Sequence, residues 1–392
     1  MRELALEHLQ TVMLPFWKSL RDDEHGGFYG EVDFNLAVHK DAPKGGILCA
    51  RILYFFSTAA RVAGDSDSLV YARHAYNFLR SSLLDTRRGG VYWSVDHTGA
   101  PLDTTKHLYC QSFAVYGLSA YYMAGGEREA LDLALKQFRL IETKYRDTIG
   151  YWEEMDAAFR RGPQNRLADD LHVARRKSIQ KTMNSILHLL EAYTELFLAS
   201  GDTEVGEALA RLLELIDKKI IRRDNTQLEV FFDENYNSLE DIHSFGHDIE
   251  ASWLIDRACE ALASSELTDR LLARDKEVCD SVLARGWDKD SLWKERVGNT
   301  ICRRKGWWEQ AETIVGLLNQ WQRTAEAEYL RKAGLAFDFC LTRLVDPRPG
   351  SEWFAELGEC GEALSGRGIV DFWKCPYHSG RMLFEIMRRE IE

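Results

Sequence analysis

Four times in its first 240 residues the chain runs from a glycine or turn through paired aromatic residues into an acid. The copies read GGFYGEVDFN from Gly26, GGVYWSVDHTG from Gly89, IGYWEEMDAAF from Ile149 and LEVFFDENYN from Leu228. They stand roughly 60 to 80 residues apart, the mark of a repeated supersecondary unit. Between and beyond them lie segments with apolar residues at three- and four-residue steps, among them 128–145, 203–221, 267–285 and 325–344. That period predicts helices, and each aromatic-acidic piece predicts a short β-hairpin or extended loop joining two of them.

A chain of 392 residues holds about six units of that size. Six helical hairpins can close into a ring with an inner and an outer layer, so the expected fold is all-α. It is an (α/α)6 barrel with short hairpins in its connecting loops, spanning residues 1–392 as one domain. An open helical solenoid is the alternative, but it would show more uniform repeats and polar capping units. With only seven prolines, the chain has no Ser/Gly/Pro-rich linker. A closed ring explains how one chain passes the usual size of a single core without one.

Fifty basic against sixty-two acidic residues give a net charge of −12, which disfavours nucleic acid and anionic membranes as partners. The longest basic clusters, such as Arg175–Arg176–Lys177, are short. No stretch approaches the roughly 20 apolar residues that span a bilayer. The opening MRELALEHLQTVMLPFW reads as an amphipathic helix rather than a signal peptide, which would carry an unbroken apolar run. The eight cysteines are scattered, form no CxxC and have no zinc spacing, as expected of reduced packing residues in a cytoplasmic protein.

Polar residues concentrate where five apolar helices begin. The segments are KGGILCARILYFFS with Arg51 and Tyr54, KTMNSILHLLEAYT with Asn184 and His188, and SFGHDIEASWL with His247, Glu250 and Trp253. KGWWEQAETIVG adds Trp307, Trp308 and Glu312, and WKCPYHSGRMLFEI adds Trp373, His378 and Arg381. His247 and Glu250 are three apart, as are His378 and Arg381; Asn184 and His188 are four apart, as are Trp308 and Glu312. Each pair therefore shares a helix face. If alternate helices line a barrel, these ends meet at one mouth, where helix N-termini add partial positive charge. Such a cavity suits a reaction that develops negative charge on oxygen, and tryptophan faces suit sugar rings.

Bland readings compete at each position. His8, His39, His74, His97, His172 and His243 read as ordinary core or surface residues. Arg51 sits in an apolar surround, where a structural ion pair is the rival to a ligand. Trp307 and Trp308 point roughly 100° apart on a helix, so one can pack while the other faces the cavity. There is no dinucleotide fingerprint, phosphate loop, GxSxG elbow or HExxH. Glycoside hydrolysis needs two carboxylates flanking the bond, and Glu250 and Glu312 could serve, but it leaves the paired histidines unexplained.

At these segments the chain resembles the N-acylglucosamine 2-epimerase superfamily, and within it most closely the cellobiose 2-epimerases. The similarity runs from LPFWKSLRDDEHGGFYGEVDF to WKCPYHSGRM and includes TKHLYCQSFAVYGLS. It implies an (α/α)6 barrel that converts the reducing-end glucose of a β-1,4-linked disaccharide to mannose, taking cellobiose to glucosyl-mannose and lactose to epilactose. It implies that His247 and His378 are the acid/base pair. Arg51, His188, Glu250, Trp307, Trp308, Glu312 and Trp373 would surround the sugar, with Tyr109, Phe113, Asn184 and Arg381 as further lining residues. The sequence departs from the family pattern at Ile186, where an extra histidine is frequent, at Ser379 and at Glu309. These departures bear on substrate preference and leave the histidine pair intact.

A C2 proton is removable only beside a carbonyl, so the sugar must open to its aldehyde. One of His247 and His378 would take that proton, Arg51 and His188 would hold the cis-enediolate, and the other histidine would return a proton to the opposite face. Glu250, one turn from His247, is expected to orient that imidazole. The scheme calls for no metal, nucleotide or redox cofactor, and the expected partner is a sugar bound by a monomer. An N-acylglucosamine 2-epimerase and a mannose aldose–ketose isomerase share the enediolate. From another class, a non-catalytic carbohydrate-binding barrel would need aromatics but neither the histidine pair nor Arg51.

Overall fold

The computed structural model describes residues 1–161, 179–224, 226–263 and 265–389; His172 and the 175–177 cluster lie outside them. Helices α1 (Arg2–His8) and α2 (Leu14–Ser19) are joined by a π-helical turn, Leu9–Met13. Then come α3 (Gly46–Ala63), α4 (Ser68–Phe78), α5 (Leu108–Met123), α6 (Arg128–Lys144), α7 (Met183–Ser200) and α8 (Thr203–Leu215). The remaining helices are α9 (Phe245–Leu262), α10 (Glu266–Gly286), α11 (Trp307–Thr324), α12 (Ala327–Phe339) and α13 (Tyr377–Arg388).

Burial pattern sorts them into two layers. Every residue of α5 from Leu108 to Tyr121 is buried, whereas α8 buries the stripe Val205, Ala208, Leu209, Leu212 and Leu213. A helix apolar all round belongs inside, and one with a single stripe belongs outside. The inner helices α3, α5, α7, α9, α11 and α13 each pack on the next, and α13 returns to α3. Outside them, α4 packs on α3, α6 on α5, α8 on α7, α10 on α9, α12 on α11 and α1 on α13. This is an (α/α)6 barrel. The four helical stretches expected from periodicity are α6, α8, α10 and α12; α4, α8 and α12 run on into five-residue π-helical turns, Leu79–Leu83, Ile216–Ile220 and Cys340–Leu344.

Short antiparallel strands ring the mouth. Each pairs the residues just before one inner helix with the connection leading to the next: Lys44–Gly45 with Ser94–Val95, Lys106–His107 with Glu154–Met155, and Lys181–Thr182 with Phe231–Phe232. Ile242–Ser244 with Glu295–Val297 and Lys305–Gly306 with Glu356–Leu357 continue the series. A bridge between Val32 and Val370 closes the circle. The aromatic-acidic repeats fall in these connections.

A second repeat underlies the ring. Lys44, Lys106, Lys181 and Lys305 each stand two residues before an inner helix and pair with Asp22 at 2.5 Å, Asp85 at 2.7 Å, Asp147 at 2.6 Å and Asp288 at 3.1 Å. Lys374 pairs with Glu352 before α13. At the sixth place His243 stands 3.0 Å from Asp248, so this histidine is a framework residue. Apart from the partly exposed Lys305–Asp288 pair, these are buried pairs, which fix where an inner helix starts more than they add net stability.

Among the described residues one helix, Gly46–Ala63, has the length and composition of a membrane span, but it is a buried stave of the barrel. None of the eight cysteines forms a disulfide, and six of them are buried.

Candidate active site

The inner helices carry their polar residues at one level. Arg51, Phe113, His188, Glu250 and Glu312 are each five residues past the first residue of α3, α5, α7, α9 and α11. His247, Trp308 and His378 lie nearer the helix starts, so they stand closer to the mouth. The barrel brings all of them to one end.

A cavity of about 470 Å³ opens there, within the range of small-molecule sites. Its wall includes Arg51, Tyr109, Asn184, His188, His247, Trp307, Trp308, Trp373 and His378. Trp308 joins the two expected acid/base residues: its ring centroid lies 4.6 Å from that of His247 and 5.6 Å from that of His378. Trp307 lines the cavity as well, so neither tryptophan is confined to packing.

The imidazoles are held from behind by different groups. Nδ1 of His247 is 2.7 Å from the hydroxyl of Ser244, the residue preceding α9. Nδ1 of His378 is 2.8 Å from Oε1 of Glu312, and Nδ1 of His188 is 3.1 Å from Oε2 of Glu191. Burial lowers all three histidines: His247 to about 3, with the nearby His188 adding to it, and His188 to about 4 against the opposing pull of Glu191. For His378, Arg51 and Arg381 reinforce burial and carry it well below its ordinary value. Burial thus favours the neutral form of all three, the form that accepts a proton.

Arg51 is 2 % exposed, yet no carboxylate among the described residues pairs with it. Its guanidinium donates to the Tyr109 hydroxyl at 2.7 Å and the Trp373 carbonyl at 3.2 Å, and lies 4.2 Å from the Phe113 ring centroid. The structural ion pair that would explain a buried arginine is absent there, leaving a cation on the cavity wall without an anion.

Glu250 does not orient His247. Its carboxylate pairs with Arg381, which also holds Glu191 and, at 2.7 Å, Glu312. Glu250, Glu312, Arg381 and Phe113 are not on the cavity wall; they stand behind the residues that are. This also removes the two carboxylates from where hydrolysis would need them, flanking a bound sugar. Glu250, Glu312 and His378 bring metal-ligating atoms within 4.8 Å of one another, but the guanidinium of Arg381 already faces both carboxylates, and a second cation there would meet its repulsion.

Sequence reasoning missed Ser244, Glu191 and Tyr377, whose hydroxyl donates to Glu191. Glu191 was readable, since it follows His188 at the same three-residue interval that singled out Glu250 and Arg381. It also missed the charged outer wall, which includes Lys294, Glu295, Glu356 and Asp371. Those residues sit on strands and loops, where helical spacing says nothing.

The profile of the N-acylglucosamine 2-epimerase (GlcNAc 2-epimerase) family matches residues 26–370. The chain belongs to this family. It is similar to the cellobiose 2-epimerase of Ruminococcus albus, with 39% identity over 386 residues covering 98% of each chain. Among solved structures it resembles a sugar epimerase from a ruminal bacterium, at 38% identity and a TM-score of 0.97 over 100% of both chains. It also resembles the cellobiose 2-epimerase of Bacillus thermoamylovorans B4167, at 36% identity and a TM-score of 0.93 over 99% of both. Family membership makes this chain an isomerase of the epimerase type, with a sugar as its substrate.

Proposed function

We propose that this chain epimerises C2 of the reducing-end glucose of β-1,4-linked disaccharides, taking cellobiose to glucosyl-mannose and lactose to epilactose, as a cytoplasmic monomer. The observation that carries the mechanism is the shared cavity of His247 and His378, both packed on Trp308, with an unpaired Arg51 cation on the same wall.

Reaction begins with the open-chain aldehyde. A neutral imidazole, His247 or His378, removes the C2 proton, and the pair of electrons left behind moves into the carbonyl to form a cis-enediolate. Arg51 faces that developing oxyanion, with His188 beside it; fixed donors in a site shielded from water are the strongest means of lowering such a barrier. The other histidine takes up a proton from solvent while the anion is present, returns it to the opposite face and inverts C2, and the first histidine releases the abstracted proton to solvent. An anionic intermediate raises the affinity of both imidazoles for a proton, so the neutral form that burial favours suits the first step without preventing the second. Trp308 and Trp373 offer faces to the sugar rings, and Tyr109 and Asn184 offer polar contacts.

Incubating the protein separately with cellobiose, mannose and N-acetylglucosamine, followed by product analysis, tests the assignment. Glucosyl-mannose formed from cellobiose, well ahead of fructose from mannose or N-acetylmannosamine from N-acetylglucosamine, is the expected result. The reverse order would replace cellobiose as the substrate.

A further inference from the structure

Four of the six inner helices send a side chain to one guanidinium. Arg381 on α13 pairs with Glu191 on α7, Glu250 on α9 and Glu312 on α11, and its own helix adds the Tyr377 hydroxyl. The guanidinium also lies 4.8 Å from the Trp253 ring centroid and 4.3 Å from that of Tyr377. Two of the three carboxylates have a second partner: Glu191 holds Nδ1 of His188, and Glu312 holds Nδ1 of His378. The path His188–Glu191–Arg381–Glu312–His378 is therefore continuous, every member is buried, and both ends open on the cavity.

We infer that Arg381 is a positioning residue that couples the two imidazoles, setting the tautomer and orientation of His188 and His378 together through Glu191 and Glu312; the catalytic part of this role rests on the epimerase chemistry above. The physical reason is charge. Three buried carboxyls facing one another cannot all ionise without a cation among them. Burial pushes Glu191 up, but Arg381 and the hydrogen bond from His188 outweigh it and hold that carboxyl at about 2. Glu250 is driven well above its ordinary value by burial and by Glu312, with Arg381 opposing. The cluster thus favours an anion behind His188 and the protonated form on Glu250, while Glu312 is raised by burial against the pull of Arg381. A carboxylate behind a histidine fixes Nδ1–H and turns Nε2 outward as the reactive nitrogen. The planar fork spreads this contact over two nitrogens, Nη1 on Glu191 and Nη2 on Glu250 and Glu312, whereas a lysine would bring a single nitrogen and lose the fixed geometry.

The test has two arms. In the first, Arg381→Lys is assayed on cellobiose after its melting temperature and circular dichroism have been compared with wild type. A kcat lower by about 100-fold, KM within about twofold and a displaced pH–rate profile are expected. A kcat within about threefold of wild type, a loss confined to KM, or a lower kcat with an unmoved pH profile would each overturn the role. The second arm needs neither substrate nor a folded lysine variant: imidazole ¹⁵N spectra of wild type and Glu191→Gln, with His188 and His378 assigned. Nδ1–H tautomers for both in wild type, and a shift of the His378 signals when Glu191 is changed, are expected. An Nε2–H tautomer at either histidine, or His378 signals indifferent to Glu191→Gln, would overturn the coupling. Wild-type inactivity on cellobiose would count against the epimerase reading alone, since the spectra decide the coupling without it.

Discussion

Oε1 of Glu312 lies 2.8 Å from Nδ1 of His378, joining the sixth residue of one inner helix to the second residue of the next. His247 has only the Ser244 hydroxyl in the same place. The two imidazoles that share the cavity are therefore unlike: one is backed by a carboxyl and the other by a neutral group.

That asymmetry predicts unequal effects. Glu312→Gln keeps the shape but withdraws the carboxylate that orients His378, so kcat should fall by roughly 10–100-fold, the usual cost of losing an orienting partner behind a functional imidazole. Ser244→Ala, which loses one hydroxyl contact, should cost about tenfold or less. Steady-state kinetics on cellobiose checks the ranking; a larger effect at Ser244 would reverse the account of which histidine is the more tightly controlled.

Arg51 has no ion-pair partner among the described residues, so removing its charge should hurt catalysis rather than folding. Arg51→Met is expected to lower kcat by roughly 10²–10³-fold, as for loss of an oxyanion donor, with a melting temperature equal to or above wild type. A melting temperature that collapses while the residual enzyme keeps its kcat would make Arg51 a framework residue after all.

Glu309 is fully buried and neither carboxyl oxygen has a hydrogen-bond partner. Burial pushes this carboxyl up from 4.5 to about 7, with Lys294 opposing. Below pH 4.5 folded and unfolded chains both hold the proton, so no penalty arises. Between there and about pH 7 the unfolded chain releases it first, and stability falls, by roughly 3 kcal/mol in all. Glu309→Gln should therefore raise the melting temperature at pH 8 and change it little at pH 4.5. An equal shift at both pH values would contradict the assignment.

Breaking a buried pair by removing one partner strands the other charge. Lys106 is completely buried against Asp85, so Lys106→Met should destabilise the protein by about 3–5 kcal/mol. Chemical denaturation measures it, and a loss below about 1 kcal/mol would show that Asp85 is not left as a stranded buried charge.

The barrel was legible because helical period and the aromatic-acidic repeat are local patterns, and six units of that length leave few ways to bury their faces. The lysine before five of the six inner helices is equally local, but its acid partner lies 17 to 34 residues away in the sequence, beyond the reach of any local pattern. Arg51, His188, His247 and His378 were readable from polar residues in apolar helices, and all four line the cavity. The partner of Glu250 was misread for a plain reason: three-residue spacing puts two side chains on one helix face but does not say which neighbouring helix they meet. Glu250 meets α13 and Arg381 instead of His247.

The central claim is that a proton leaves C2 and one returns from the other side through His247 and His378. Turnover of cellobiose in deuterated buffer, read by NMR of the product, tests it most directly. The account predicts glucosyl-mannose carrying deuterium at C2, with His247→Ala and His378→Ala both losing interconversion. Inverted product free of label, or near-normal turnover in His378→Ala, would contradict it.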